Sequence, residues 1–405
     1  RTRPLAPPSC YTGCVPHVAP FRALVYDTAV TGPLDLVTAP PYDVISEGDR
    51  TRYLGESPYN VVHLDLSEGG EDPADPGNRY ERAATLLRSW RGDGALRLTP
   101  PSAFAYEVRF HVEHRRRSVR GLLCAMTLEP WGGRVVPHEE TMPGPLEDRL
   151  RLLRATRTHL SPIYGTVAGP CPTFAALLET VVDDPPGWRT IDEEGVEHRM
   201  WPLPADVPID AWFADESLLI ADGHHRYTTA LSYAEERRAQ DGPGPWDRIL
   251  TLIVDSGTED VTVFPYHRVQ VRGPVVERGD PVPDLHAVLH AVDDTRSRVG
   301  VAVRDPDGQT HYRVLHLEGD PPSVSALHDE VLDGAAPGDA LWFTHDADTA
   351  DDAVRDGSAV AAYFLPPTTP ERIRAVIARG ARLPRKSTFF WPKPRTGMVM
   401  MPLDL

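Results

Sequence analysis

The sequence predicts an α+β protein, with mixed sheets and helices packed on them. Three observations lead there. Two strand patterns, Ala103 to Val112 and Ser118 to Leu128, flank the charged stretch His111 to Arg117 and read as a hairpin. Tyr80, Ala83, Ala84, Leu87 and Trp90 recur at helical spacing, and Gly92 ends the pattern. The run Leu218-Leu219-Ile220-Ala221 reads as a buried strand. It turns at Asp222-Gly223 into a helix with Tyr227, Ala230, Leu231 and Ala234 on one face.

The remaining elements follow in chain order. Residues 1–18 read as a flexible leader, and from Pro20 the pattern is globular. Pro40-Pro41-Tyr42-Asp43-Val44-Ile45 is a rigid turn, and Val61-Val62-His63-Leu64 reads as a buried strand. A helix is expected over 147–160. Leu150 and Leu153 form its apolar stripe, and Arg151, Arg154 and Arg157 recur at i, i+3 and i+6. Arg149 stands one residue off that stripe. Ile249 to Val254 is another strand. After Arg272 the chain turns Pro- and Asp-rich, which sets a boundary near 271–283. The main domain is therefore expected over 19–275 and a smaller C-terminal α+β domain over 276–405. The latter carries strands near 299–303 and 311–316 and helices near 323–332 and 370–379. No internal repeat is present.

Composition bounds the function. A chain of 405 residues exceeds one ordinary core, and 41% hydrophobic residues suffice to build two. The net charge of −17 is opposite to the cationic footprint of a non-specific DNA binder, so nucleic acid is not expected as a partner. No run approaches the roughly 18 apolar residues that span a bilayer. The start has no apolar signal-peptide region and no Met, so a preceding piece is expected to be missing. Four cysteines are few. Cys124 reads as a core residue, and the Cys10/Cys14 pair has no second pair to complete a zinc site. A reduced, cytoplasmic setting fits best. The basic run Arg115-Arg116-Arg117, with Arg120, reads as a solvated hairpin tip.

Three segments could carry chemistry. In the first, Asp222 is expected to cap the helix, and Gly223 lets the backbone bend and approach a ligand. His224, His225 and Arg226 then place cations where the helix dipole favours anions, which makes sense if a phosphate binds there. The bland alternative is that Arg226 pairs with a carboxylate and the histidines fill polar gaps in the core. The second segment is Pro137-His138-Glu139-Glu140-Thr141. Glu139 or Glu140 could act as a general base or hold Mg2+, and His138 could be a ligand; a solvated acidic loop is the alternative. The cationic face with Arg149 and Arg154 lies just downstream. The third is Pro384 to Lys393, where Lys386, Ser387, Thr388 and three consecutive aromatics could close over a base or phosphate. A terminal strand packing back on the core is the alternative. No G-x-x-x-x-G-K-[ST], G-x-G-x-x-G, kinase signature set or G-x-S-x-G elbow occurs.

With these residues in view, the chain resembles the bacterial and archaeal family called domain of unknown function 1015, from about Pro20 to Pro402. The marks include Ala39-Pro40-Pro41-Tyr42-Asp43-Val44-Ile45, Pro58-Tyr59-Asn60-Val61-Val62, Pro137-His138-Glu139-Glu140-Thr141 and Ser161-Pro162-Ile163-Tyr164-Gly165. Ile220 to Tyr227, His267-Arg268-Val269 and Lys386 to Phe390 complete them. In addition, Asp222-Gly223-His224-His225-Arg226 resembles the D-G-x-x-R box of the ParB and sulfiredoxin-like superfamily, whose strand-turn-helix binds nucleotide phosphates. Sulfiredoxin places a catalytic cysteine beside its box. No cysteine lies near Asp222, which disfavours a sulfinate reductase.

That second resemblance implies a ParB/sulfiredoxin-like nucleotide-binding core and, by likeness to the superfamily's free-serine kinases, a phosphotransferase using ATP or ADP with Mg2+. The acceptor would be a small hydroxyl-bearing metabolite such as a free amino acid. Asp222, Gly223, His224, His225 and Arg226 would hold phosphates with Arg149, Arg154, Lys386, Ser387 and Thr388. Glu139, Glu140, His138 and His225 would serve the chemistry. Two alternatives stay open: a nucleotide-binding regulator without turnover, and a metal-dependent hydrolase using the His and Glu clusters. A homo-oligomer is also left open.

Overall fold

In a computed structural model, residues 17–72, 74–112, 115–139, 143–167, 171–213, 217–259, 261–319, 322–333 and 340–404 are described. The Cys10/Cys14 pair, Glu140 and most of the leader lie outside them. The chain divides into two compact units. Unit 1 extends to Pro137, resumes for 141–260 and takes in Pro392 onward; unit 2 is 138–140 with Val261–Trp391. The division thus falls at 260/261, where the sequence reading puts it near 275, and residues 392–405 belong to unit 1.

Unit 1 contains strands β1 (Val18–Ala19), β2 (Leu24–Tyr26), β3 (Leu96–Leu98), β4 (Phe104–Val112), β5 (Arg115–Thr127), β6 (Val135–Pro137), β7 (Thr158–His159), β8 (Ile163–Val167), β9 (Trp188–Ile191), β10 (Glu197–Pro202), β11 (Leu218–Asp222) and β12 (Arg248–Asp255). Its helices are α1 (Thr28–Thr31), α2 (Glu47–Glu56), α3 (Val62–Asp65), α4 (Arg79–Gly92), α5 (Pro143–Thr156), α6 (Pro172–Val181) and α7 (His224–Asp241). The main sheet runs β6-β11-β8-β12-β5-β4-β10-β9, with β1 beside β5. The β6–β11 and β8–β12 pairs are parallel and the others antiparallel, so the sheet is mixed. Ile163, Leu218 and Ile220 from the sheet, and Tyr227, Ala230 and Ala234 from α7, share one buried core.

Unit 2 holds a six-stranded sheet of order β15-β17-β16-β19-β14-β18 and a separate β13–β20 pair. These strands are β13 (Thr262–Pro265), β14 (His267–Gln270), β15 (Asp280–Val282), β16 (Arg298–Arg304), β17 (Thr310–His316), β18 (Leu341–Thr344), β19 (Ala361–Phe364) and β20 (Thr388–Trp391). The helices are α8 (Leu285–Ala291), α9 (Ser323–Leu327), α10 (Ala347–Arg355) and α11 (Pro370–Ala378). Val269, Val288, Ala302, Val354 and Phe364 lie in its core. A last strand, β21 (Met401–Pro402), pairs with β7 inside unit 1.

The protein is α+β, and most elements form where periodicity places them. Three readings are corrected. Val61 to Leu64 is not a strand: α3 is a helical turn, opened by Asn60, whose side-chain Oδ1 accepts from Val62 N at 3.0 Å. Three apolar residues in four suit either element, and the Asn60 side chain decides between them. The helix expected over 147–160 ends at Thr156, because Arg157 takes φ 47° and the chain enters β7. Finally, Arg115 to Arg117 do not belong to a hairpin connection. They continue β5, with Val112 opposite Arg115. No described helix is long and apolar enough to cross a membrane.

Candidate functional site

Strand β11 is buried from Leu218 to Ala221 and delivers Asp222 to its end. Gly223 follows at φ 94° and ψ 26°, a left-handed conformation that favours glycine, and α7 begins at His224. A Cβ on Gly223 would stand 2.9 Å from Ile163 Cγ2 and 3.1 Å from Arg226 Nη2.

Asp222 was expected to cap α7. Gly223 is the capping residue instead, and it has no side chain to offer. The Asp222 carboxylate is engaged by cations: Arg226 Nη2 donates to Oδ2 at 2.5 Å, and Lys393 Nζ to Oδ1 at 2.5 Å. Charge-assisted bonds to two full cations are stronger than bonds to neutral backbone N–H groups, so they win the carboxylate. Arg226 also donates to Ser161 Oγ at 2.9 Å and to the Pro162 carbonyl.

His224 is buried and its ring stacks on Trp131, with centroids 6.1 Å apart and planes at 16°. Trp131 in turn donates to Thr228 Oγ1 at 3.2 Å. His224 therefore belongs to the packing between α7 and the turn after Leu128. His225 is half-buried.

Arg149 stands off the arginine stripe of α5 and points inward. It is 7% exposed, pairs with Asp65 at 2.7 Å and Asp148 at 2.6 Å, and lies 4.3 Å over the Tyr42 ring. Burial raises the Asp65 carboxyl above the usual range, against the pull of Arg149 and Arg226. Burial, helped by Asp43, pushes Tyr42 up to about 12. Burial also drives His159 down to about 4.

Tyr42, Asp65, Arg149, His159, Ser161, Arg226 and Thr229 line one cavity of about 50 Å3. Ligand pockets run from roughly 300 Å3 upward, so this space suits a water or two and not a nucleotide. The structure brings Arg149 and Arg226 to this cavity. Arg154 is not among its lining residues: it pairs with Glu236 of α7 at 2.6 Å on the surface. Sequence reasoning missed Asp65 and Ser161; it singled out the segment ending at Lys393, but not that lysine's pairing with Asp222. Ser161 stands in a quoted motif, and Asp65 carries no local signal.

The other expected site residues lie in unit 2. His138 is fully buried, with Nε2 at 2.6 Å from Thr388 Oγ1 and its ring edge-on to Phe390. Glu139 Oε2 accepts from Ser387 N at 3.3 Å, and the Glu139 backbone bridges to Leu383. Thr388 opens β20, so part of the Pro384 to Lys393 segment is indeed a strand, paired with β13. Lys386 adopts φ 53° and its ammonium lies 5.1 Å over the Tyr266 ring. Its carbonyl accepts from Arg268 at 3.0 Å, and burial pushes that fully enclosed guanidinium down to about 9. These bonds fasten 138–139 to 386–388 as packing of unit 2. Among the described residues, no group of three His, Cys, Asp or Glu side chains is placed to hold a metal.

Fold and junction together define an α+β protein with a strand-glycine-helix turn bearing paired cations. The family model described as "Protein of unknown function (DUF1015)" matches residues 18–293, and the chain belongs to that family. No curated protein matches the sequence. Among solved structures, a conserved hypothetical protein from Pyrococcus furiosus is similar at 15% identity and TM-score 0.35, over 64% of this chain and 88% of that one. A free serine kinase in complex with AMP is similar at 15% identity and TM-score 0.35, over 64% and 83%. SbnI with a C-terminal truncation, from Staphylococcus aureus, is similar at 12% identity and TM-score 0.33, over 69% and 87%. Likenesses this slight assign neither ligand nor reaction.

Proposed function

We propose that the chain binds nucleotide phosphates at the β11–Gly223–α7 junction and is a nucleotide-dependent phosphotransferase acting on a small hydroxyl-bearing metabolite. One observation supports this most directly. Gly223 opens α7 without a capping side chain, and Arg226 is held beside that opening by Asp222. An anion at this opening would meet first-turn N–H groups with the Arg226 guanidinium close by. Transfer itself is mostly positioning and charge neutralisation, with ATP or ADP as donor and Mg2+ offsetting the phosphate charge. His225, half-buried in the same first turn, is the histidine placed to join the cradle.

The test is thermal denaturation of the full chain with AMP, ADP and ATP, with and without Mg2+, followed by assay of phosphoserine formation from ATP and free serine. Wild type at a hundred times Kd is expected to gain about 2.7 kcal/mol. Arg226→Ala is expected to stay folded and lose that gain. An Arg226→Ala chain that responds like wild type would sink the reading.

A second reading has its own observation: Arg149, Arg226 and Lys393 all carry carboxylate partners. A purely structural ion network would make Arg226→Ala unfold.

A further inference from the structure

After Trp391 the chain returns to unit 1 as a strap fastened just beyond Lys393. Arg395, 3% exposed, donates to the Thr38 carbonyl at 2.8 Å and hydroxyl at 3.1 Å and pairs with Glu193 at 3.2 Å. Thr396 and Ala39 exchange backbone bonds, and Met400 bonds to Leu24. These fastenings place the Lys393 ammonium 2.5 Å from Asp222 Oδ1 and 3.4 Å from Asp43 Oδ2, with the side chain 7% exposed. Asp222 thus bridges two cations, Arg226 on one oxygen and Lys393 on the other.

We propose that Lys393 is a second phosphate-binding residue of the junction, paired with Arg226 across Asp222; this rests on the phosphate-binding reading above. The chemistry separates the two cations. Arginine offers a planar fork that fits one phosphate, whereas a lysine ammonium is a compact point charge that answers to total anionic charge. Asp222 serves as the shared acceptor while no ligand is bound. Phosphate oxygens replace it as the acceptor, and the bridged geometry holds both cations together beforehand, so little ordering remains to be done on binding. Asp43, 26% exposed at its side chain, and Asp222, at 13%, are the more exposed members of the cluster, with Lys393 at 7%. Lys393 makes affinity rise with phosphate number.

The experiment is calorimetric titration of the full chain with adenosine, AMP, ADP and ATP, comparing wild type with Lys393→Met and Lys393→Arg. Wild type is expected to bind more tightly with each added phosphate. Lys393→Met should lose roughly 10- to 100-fold for ADP and ATP and nothing for adenosine. Lys393→Arg should recover part of the loss. A ladder in Lys393→Met as steep as wild type overturns the proposal and leaves the phosphate-binding reading standing. Equal losses for all four ligands, with a lower unliganded Tm, also overturn it, because Lys393 is then a structural ion-pair partner. If Lys393→Met does not fold, Lys393→Gln carries the test, and an unchanged ladder there overturns the proposal. A wild type that binds none of the four removes both ideas.

Discussion

Arg149 and Asp65 form the most enclosed ion pair of the candidate site, each 7% exposed at the side chain. Removing one partner strands the other charge away from water. Arg149→Ala is therefore expected to destabilise unit 1 by about 3–5 kcal/mol, read from the urea midpoint. Replacing both, as Arg149→Met with Asp65→Leu, should recover most of the loss. A single variant within about 1 kcal/mol of wild type would show the pair to be worth little, as surface pairs are. His159 adds a pH dependence. Burial lowers it from 6.5 to about 4, so it is neutral in the folded chain where the unfolded chain binds a proton. Its contribution is full above about pH 6.5 and falls as the pH drops towards 4, at about 1.4 kcal/mol per unit. His159→Gln should flatten that part of the stability profile, and an unchanged slope would contradict the assignment.

Among elements, the strand-turn-helix was legible in the sequence because it combines three independent signals. An apolar run stops at Asp222, a glycine follows, and Tyr227, Ala230 and Ala234 resume at helical spacing. The same logic places α4, β4 and β5. It fails for α3, where Val61, Val62 and Leu64 are too few to carry a period and the deciding bond comes from Asn60. It fails again for the role of Asp222. A cap is a local property, but the cation that claims Oδ1 is 171 residues away. Pairings across such distances leave no trace in spacing. Gly223 gives this scale its prediction. Gly223→Ala puts a Cβ 2.9 Å from Ile163 Cγ2 at a φ that L-residues avoid. The expected cost is about 1–3 kcal/mol in thermal or urea unfolding, with a weakened Arg226–Asp222 pair. A neutral substitution would mean the turn can relax out of the left-handed region.

For the whole molecule, the contiguous division expected from sequence differs from the observed one, because a Pro- and Asp-rich stretch marks a loop and not where packing changes hands. Unit 1 closes with residues from the far side of unit 2's sequence: Met398, Val399, Met400, Met401 and Leu403 are all buried. A chain ended after Trp391 loses these side chains, the Arg395 bonds and the β7–β21 pairing at once. It is expected to lose amide protection across β5 and β12, measured by hydrogen exchange. Protection equal to the full chain's would show that the strap only decorates a core already complete.

The strap also sets a clock on biosynthesis. A ribosome that has finished residue 260 must still make 261–391 before it reaches Lys393 and Arg395. At roughly 5–20 residues per second that interval is on the order of ten seconds. Throughout it, the nascent first unit holds Asp43, Asp192 and Asp222 without the late cations that pair with them, and an apolar seam without its methionines. Translation speed through 261–391 therefore determines how long that unfinished surface is offered to chaperones and proteases.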